Sequence, residues 1–444
     1  MKNKILILFI AAAIYNIQPA TAQQQAYDMM VDGVKVIVQP SGNDIVEIQT
    51  IFKGGVQNYP VDKAGIESMA MTALGECGTM RHDKNSFKNQ LDKVSAMIYG
   101  SSDKDYSTMR MNCIKGDFET VWQLYAEAIT QPSFNAKEFD RIKQDAINNL
   151  KQEDGQPDVA IDKYANKVAF AGRDYAKDPE GTVEVIEKLT PAETKAYYQS
   201  ILTRSRMVIV IVADLDKTLI TTKVQQLLAG IKQGQPFELK KSFFRTYKNT
   251  FTAESRDLAT NYLEGVSGAP IVGTPDYDAF NVAMRIFTDR HFLEVRTNNG
   301  LSYAPYTYFS VGSTSVSKFT VSTTQPDKYI AVFDQLVDKV KTDGFTAEEV
   351  ANMKTSYLTG FYAKQETNTA QAGALVFNEV LFNNWRRSLT LMTDIKKLTA
   401  AEVSDAFRKY IGNIIWVYQG DPKKVTPINY INGTLHKADN PVSY

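Results

Sequence analysis

The residues of this chain that could contribute chemistry of their own are an arginine and a tyrosine, Arg296 and Tyr303. Between them lies Gly300, which suits a tight turn that would bring both side chains to one side. A guanidinium offers paired hydrogen-bond donors, and a phenol can donate to an oxyanion that develops during acyl transfer. An arginine at a strand end and a tyrosine in a half-buried strand can equally be structural. The two residue types permit a supporting role in catalysis, but taken alone they favour a structural role.

A metal-assisted reaction would need ligands that this chain does not supply at the required spacing. Two neutral imidazoles at positions i and i+4 lie on one face of a helix and can share one zinc ion. The three histidines, His82, His291 and His436, include no pair at that spacing. Glu294 follows His291 at the spacing His-x-x-Glu, but a single such pair cannot hold a catalytic zinc. We therefore expect His291 to be a packed, structural residue and the chain to bind no metal.

The elements that would position a metal site are nevertheless present between residues 52 and 79. A strand end is followed by a glycine pair, a polar loop and an amphipathic helix expected at about residues 64–75. This segment resembles the signature of the insulinase, pitrilysin and mitochondrial processing peptidase family of zinc peptidases. In that family a glycine-opened helix carries an inverted His-x-x-Glu-His motif. The shared positions are Gly54, Gly55, Gly65, Gly78 and Thr79.

The resemblance assigns the zinc-binding positions to residues that cannot bind zinc. When the motif is aligned on Gly65, the two histidine positions hold Ser68 and Thr72, and the glutamate position holds Met71. This chain has one extra residue before Gly78, so an alignment on Gly78 assigns the three positions to Met69, Thr72 and Ala73 instead. The family's third ligand, a glutamate on a later helix, falls at Asn149. The resemblance therefore implies a peptidase scaffold with a degenerate zinc motif.

A second segment resembles the same family near residue 300. Residues 290–303 are similar to its second-half signature, Leu-Phe-x-x-Val-Arg-x-x-x-Gly-Leu-x-Tyr. In that family the arginine and the tyrosine reach over a zinc ion held by a partner, position the substrate backbone and stabilise the oxyanion. The resemblance implies this role for Arg296 and Tyr303, with zinc bound in a sister subunit and no cofactor in this chain.

The first residues have the composition of an export signal. Lys2 and Lys4 precede an apolar run at residues 5–14, and Ala20-Thr21-Ala22 forms a small-x-small cleavage site. The apolar run is shorter than the roughly 20 residues that span a bilayer. We expect cleavage near Ala22, export to a periplasm, and no membrane span in the mature chain.

The balance of charged residues indicates which partners the chain can bind. The chain has 50 basic and 50 acidic residues, whereas a nucleic-acid-binding domain usually presents a basic face. We therefore expect no nucleic-acid partner.

The two cysteines, Cys77 and Cys113, fall in one predicted domain. An oxidising compartment would permit a disulfide between them, and the sequence leaves open whether they pair.

The second half of the chain repeats the first half. Residues 134–138 recur as 345–349, residues 186–193 recur as 395–402, and residues 210–214 are echoed by 416–421. Lys143 in the first half and Lys354 in the second occupy equivalent positions of the repeat. The offsets of 211, 209 and 207 residues are nearly constant. This regularity predicts an internal duplication with small insertions and deletions.

The expected fold class is α+β, with two homologous domains that each pack helices against a mostly antiparallel sheet. We predict a signal peptide at residues 1–22, an N-terminal peptidase-like domain at 23–230, a linker at 231–252 and a C-terminal peptidase-like domain at 253–444. The continuous apolar run at residues 207–212 is typical of a strand buried on both faces. The resemblance further implies that the two domains form half of a clam-shell chamber.

Two functions fit these observations. The first is the non-catalytic subunit of an exported heterodimeric zinc metalloendopeptidase, which acts on peptides or unfolded proteins together with a zinc-bearing sister subunit. Its substrate would pair in an extended form with a strand edge. The alternative is a non-enzymatic homodimer that binds peptides or serves as a scaffold. In both cases we expect no hydrolysis by this chain alone.

Overall fold

The first half of the molecule is built on a six-stranded sheet. The computed structural model describes residues 25–363 and 365–433, so the predicted signal peptide lies outside the described residues. The strands are β1 (Tyr27–Val31), β2 (Val34–Gln39), β3 (Ile45–Lys53), β4 (Met97–Ser102), β5 (Tyr106–Ile114) and β6 (Met207–Val212). They lie in the order β1-β2-β6-β3-β5-β4. Only the β2–β6 pair is parallel within this sheet.

Eight helices accompany this sheet in the described chain. They are α1 (Ile66–Glu76), α2 (Lys84–Asp92), α3 (Phe118–Thr130), α4 (Ala136–Asp154), α5 (Pro157–Ala169), α6 (Val183–Ile186), α7 (Pro191–Ile201) and α8 (Lys217–Leu228). Helix α7 is capped at its N-terminus, because the Thr190 side chain accepts a hydrogen bond from the Glu193 backbone N–H at 3.2 Å. Residues 229–249 contain no helix or strand and lead into the second half.

The second half contains a five-stranded sheet of corresponding topology. Its strands are β7 (Thr250–Ser255), β8 (Asn261–Ser267), β9 (Tyr306–Ser310), β10 (Val316–Thr323) and β11 (Ile415–Gly420), in the order β7-β11-β8-β10-β9. Its helices are α9 (Tyr277–Phe292), α10 (Pro326–Asp343), α11 (Ala347–Ala363), α12 (Asn368–Phe382), α13 (Arg387–Lys397), α14 (Ala400–Tyr410) and α15 (Pro427–Ile431). With β1 set aside, the two strand orders match, including one parallel pair in each sheet. The predicted α+β class is confirmed.

A tertiary hydrogen bond recurs at matching places in the two halves. The Lys143 amine on α4 donates to the Leu189 carbonyl at 3.2 Å. The Lys354 amine on α11 donates to the Leu398 carbonyl. Both lysines and both leucines belong to the segments that repeat in the sequence. The two halves therefore join corresponding elements by the same contact, as a duplicated unit would.

One helix of each half packs on the sheet of the other half. Helix α12 packs on β3 and β6 of the first sheet, and α5 packs on β8 and β11 of the second. This explains why every residue of β6 is buried. Val208, Val210 and Val212 face the apolar cluster that includes α12, whereas Ile209 and Ile211 face the cluster that includes α1. The predicted burial of β6 on both faces is thus produced by a helix from the other half.

Helix α1 lies directly against the edge strand β4. A Cβ atom on Gly100 would stand 2.3 Å from the Met71 carbonyl oxygen, and one on Gly75 would stand 3.2 Å from the Ile98 carbonyl oxygen. Both distances are shorter than ordinary contacts, so the two backbones approach this closely because neither glycine carries a side chain. The helix that resembles the zinc-motif helix therefore packs with its backbone directly against β4.

The two cysteines are not joined. Cys77 follows α1 and Cys113 lies on β5, and both are free, buried thiols. Burial raises the pKa of each thiol to about 12, so the reactive thiolate is disfavoured. The disulfide that the sequence left open is therefore absent from the fold, where each cysteine behaves as a small apolar residue.

Candidate functional site

The degenerate zinc positions meet at one pocket of about 360 Å³ between α1 and α4. Ser68 and Thr72 face it from α1, one turn apart, and Asn149 faces it from α4. Met71 is fully buried in the core beside Gly100. Met69, which the alternative alignment assigns to a histidine position, lines the same pocket. Both alignments therefore place two of their three α1 positions at this pocket.

The donor set of this pocket does not fit zinc. The Ser68 hydroxyl donates a hydrogen bond to Glu180 Oε2 at 2.8 Å, so its proton is engaged. Thr72 and Asn149 offer only a neutral hydroxyl and a neutral amide, whereas zinc sites use imidazole, thiolate or carboxylate. Among residues 25–363 and 365–433, no three His, Cys, Asp or Glu side chains gather in a metal-binding cluster. The described residues of this pocket therefore provide no recognisable set of zinc ligands.

Most of the carboxylates around this pocket are already paired with basic side chains. Arg141 contacts Glu76 at 3.1 Å and Asp145 at 2.9 Å, and Lys163 contacts Glu153 at 2.7 Å. Glu180 is the exception, since Ser68 is its side-chain hydrogen-bond partner. Burial raises the pKa of Glu180 above its ordinary value, and the Ser68 hydrogen bond partly offsets that effect.

A second carboxylate close to the motif faces away from the pocket. Glu67 precedes Ser68 and is fully buried. Its Oε2 atom accepts hydrogen bonds from Tyr197 and, at 3.0 Å, from the Asn58 amide. Burial raises the pKa of Glu67. This residue anchors α1 to its neighbours and offers no general base to the pocket.

Arg296 and Tyr303 are brought together in the second half. After Phe292, α9 continues as a π-helical segment, Leu293–Asn298, which carries Arg296. Gly300 has a φ angle of 59°, a left-handed conformation that favours glycine and reverses the chain. The Arg296 guanidinium then lies 4.1 Å from the centre of the Tyr303 ring. Such π-helical insertions occur frequently at functional sites.

This pair is open to solvent. Tyr303 is 78% exposed, and Phe292, whose ring lies 5.0 Å from the Arg296 guanidinium, is 40% exposed. A guanidinium stacked on an aromatic ring keeps its edge donors free for another group. Neither Arg296 nor Tyr303 lines the α1–α4 pocket. The two sets of candidate residues therefore form separate sites on this chain.

A larger cavity of about 630 Å³ lies where the halves meet. Helix α5 lines one side with Asp162 and Lys163, and β9 lines the other with Tyr306 and Tyr308. The two tyrosine rings are stacked with their centres 5.3 Å apart. Lys163 also contacts Glu153 of the α1–α4 pocket, so the two cavities are neighbours. Tyr306 and Tyr308 thus face a groove.

His291 is a core residue, as the sequence predicts. It is fully buried at the end of α9, and its Nε2 atom lies 3.2 Å from the Tyr329 hydroxyl. Burial lowers the pKa of His291 to about 3, so the ring stays neutral.

Comparison with known proteins identifies the family to which these features belong. A family model described as the peptidase M16 inactive domain matches residues 188–357, which include Arg296 and Tyr303. Over these residues the chain is similar to the inactive domain of the M16 peptidases. The predicted resemblance to this peptidase family is therefore confirmed.

Relatives of this M16 homologue include proteins named both as proteases and as non-peptidases. The uncharacterized zinc protease YmxG of Bacillus subtilis is 18% identical over 75% of this chain and 82% of its own. The non-peptidase homolog YmxG of Helicobacter pylori is 19% identical over 95% of this chain and 99% of its own. The periplasmic protease PqqL of Escherichia coli has the same fold, with a TM-score of 0.77 and 16% identity over 94% of this chain and 49% of PqqL.

Sequence reasoning missed the charged groups that line the two cavities. Glu180 lies 112 residues from the serine that it contacts, and no local pattern marks it. Lys318 on β10 is fully buried and pairs with Asp162 and with Glu264, the latter at 2.8 Å. A lysine inside the apolar strand Val-Ser-Lys-Phe-Thr-Val is a signal that could have been noticed, because buried lysines are nearly always paired.

Proposed function

We propose that this chain is the non-catalytic subunit of an exported heterodimeric zinc endopeptidase. The observation that carries the proposal is the contrast between two sites of one chain. The zinc positions hold Ser68, Met71, Thr72 and Asn149, which cannot bind the metal, whereas the half-buried Arg296 lies over the exposed Tyr303 ring. Such an arginine–tyrosine pair can serve a metal site that faces it from another subunit, by positioning a substrate carbonyl and stabilising its oxyanion.

In this proposal the chain supplies a chamber wall and its sister subunit supplies the zinc. The substrate is a peptide or an unfolded segment that pairs in an extended form with the free edge of β4 beside α1. The similarity of the chain to about half of PqqL supports a chamber made of two such units. The chain comprises two homologous domains, at residues 23–230 and 253–444, joined by residues 231–252.

Export is part of the same proposal. The signal-like residues 1–22 support it, and the fold match to a periplasmic protease is in keeping with that location. None of the helices in the described ranges, 25–363 and 365–433, combines the length and apolar character needed to cross a bilayer.

A second candidate is a non-enzymatic homodimer that binds peptides or holds other exported proteins. The naming of the Helicobacter pylori relative as a non-peptidase homolog favours it, because that relative matches nearly the whole chain. This candidate predicts self-association and no dependence on zinc.

The deciding experiment is the purification of the full chain, tagged at its C-terminus, from its native envelope extract, with zinc measured in the eluate. A sister subunit that co-purifies with about one zinc ion per pair would support the heterodimer. A chain that elutes as a metal-free dimer of itself would refute it and favour the scaffold.

A further inference from the structure

The cavity at the junction of the halves has the properties of a ligand site. Its volume of about 630 Å³ is within the roughly 300–1,000 Å³ typical of small-molecule pockets. The lining combines four small apolar residues and the stacked Tyr306 and Tyr308 rings with seven charged side chains. The cavity is therefore suited to a ligand that is itself polar or charged at one end.

Most of the charges in this cavity neutralise one another. The Lys318 amine pairs with Asp162 and with Glu264, and Tyr308 donates to Asp162 at 2.6 Å. Lys163 contacts Asp178 at 2.9 Å. These groups form a fixed polar floor with its donors and acceptors in use.

Lys104 differs from the other lysines of this cavity. Its amine lies 5.6 Å from the Phe170 ring and 5.1 Å from the Tyr175 ring, and the described part of the chain places no carboxylate within ion-pair distance of it. By contrast, Lys163 contacts Asp178, and the Lys177 amine contacts Asp174 at 2.7 Å. Burial lowers the pKa of the Lys104 amine and nearby Lys318 lowers it further, whereas Asp162, Asp178 and Asp103 raise it from beyond ion-pair distance.

A half-buried ammonium without an ion-pair partner favours an anionic ligand. Removing a charge from water is costly unless an opposite charge or hydrogen bonds compensate for it. A carboxylate placed against Lys104 would complete an ion pair of the kind that the neighbouring lysines already have. A dianionic phosphate fits less well, because Asp162, Asp178 and Glu264 surround the cavity and their basic partners are engaged.

We propose that this cavity binds the C-terminal carboxylate of a peptide, with Lys104 as the counter-ion and the Tyr306–Tyr308 pair as the wall for an aromatic or aliphatic last side chain. The cavity opens beside the α1–α4 pocket, so an extended peptide could continue toward α1. The site belongs wholly to this chain. It therefore does not depend on a zinc-bearing partner and is distinct from the proposed role of Arg296.

The test compares a short N-acetylated peptide that ends in phenylalanine with the same peptide as a C-terminal amide. Binding to the purified full chain is measured by calorimetry for the wild type, for Lys104→Met and for Lys115→Met. Lys115 is a matched control because it lies outside the cavity and pairs with Asp214 at 2.8 Å. We expect the acid to bind at least about tenfold more tightly than the amide, and only Lys104→Met to abolish that preference.

The proposal would be overturned by equal affinity for the acid and the amide, or by a Lys104→Met variant that still prefers the acid. It would also be overturned if no saturable binding were seen at about millimolar peptide. Inorganic phosphate that binds as tightly as the peptide acid would also refute the peptide assignment. Thermal unfolding provides a second readout: replacing an unpaired buried amine by the apolar Met side chain should maintain or raise Tm. A marked fall in Tm would show that the Lys104 amine already has a partner.

Discussion

The two halves of this molecule share a scaffold and differ in where their polar side chains are free. In the first half, α1 turns Ser68 and Thr72 toward a pocket and buries Met71 in the core. In the second half, the Arg296 guanidinium lies over the exposed Tyr303 ring. The first set offers no zinc ligands and contributes packing, whereas the second presents groups that can act on a ligand. Two halves with matching strand orders therefore carry different side-chain chemistry.

The largest effect should come from Met71, if its role is now packing. Met71→Ala should lower the free energy of unfolding by about 2–5 kcal/mol, because it leaves a cavity in a filled core. Thr72→Ala, which faces the pocket one residue later, should change it by less than about 0.5 kcal/mol. Urea denaturation measures both. Equal effects of the two substitutions would contradict the assignment of one to the core and the other to the pocket.

The next largest effect concerns Arg296 in the assembled complex. Arg296→Ala should lower the turnover of a peptide by roughly a hundredfold, the usual scale for loss of one oxyanion donor. Arg245→Ala is the matched control, because Arg245 lies 5.6 Å from the exposed Tyr247 ring and so forms a similar pair elsewhere. Steady-state kinetics of the co-purified complex gives the comparison. Wild-type turnover in Arg296→Ala would exclude a catalytic contribution from the second half.

The junction between the halves should respond to pH through Glu264. Burial raises the pKa of Glu264 from 4.5 to about 7, although Lys318 opposes the shift. Between these values the folded chain keeps a proton that the unfolded chain releases, so this group's contribution to stability falls as pH rises. The contribution is complete below 4.5 and no longer changes above about 7.

Glu264→Gln should remove that dependence. From about pH 5 to about pH 8, the wild type should lose on the order of 1–3 kcal/mol more stability than the variant. Denaturant unfolding at the two pH values measures this difference. Parallel pH profiles would show that Glu264 is ionised throughout.

The smallest predicted effects compare the two halves directly. Lys143→Met and Lys354→Met each remove the donor to a backbone carbonyl, that of Leu189 or Leu398. Each should lower the free energy of unfolding by about 1 kcal/mol. If this hydrogen bond has the same role in both halves, the two variants will lose the same free energy of unfolding. A loss in only one variant would show that the halves share their strand order but not the energetics of this contact.

Much of the fold could be predicted because its signals are local. The helix expected at about residues 64–75 is α1, and the apolar run at residues 207–212 coincides with β6. Thr190 marks the start of α7 through a contact three residues away. The spacing of Ser68 and Thr72 likewise placed them on one face of α1, where they line one pocket.

The remainder depends on contacts between distant parts of the chain. The continuous apolar run of β6 predicted burial on both faces, but its sequence does not indicate that α12 covers one of them. The pairing of Asp162 with Lys318 joins residues 156 positions apart, so the cavity between the halves has no signature in a single segment. Periodicity reports which side of an element is apolar and does not report what covers it.

The exchange of α5 and α12 between the halves has a consequence for the covalent connection at residues 229–249. That segment is irregular and carries exposed lysines such as Lys240 and Lys241. A tryptic nick there would cut the backbone without separating the products, since each fragment keeps a helix embedded in the other's core. Two separately translated polypeptides, ending and beginning in this segment, should consequently reconstitute the protein by fragment complementation.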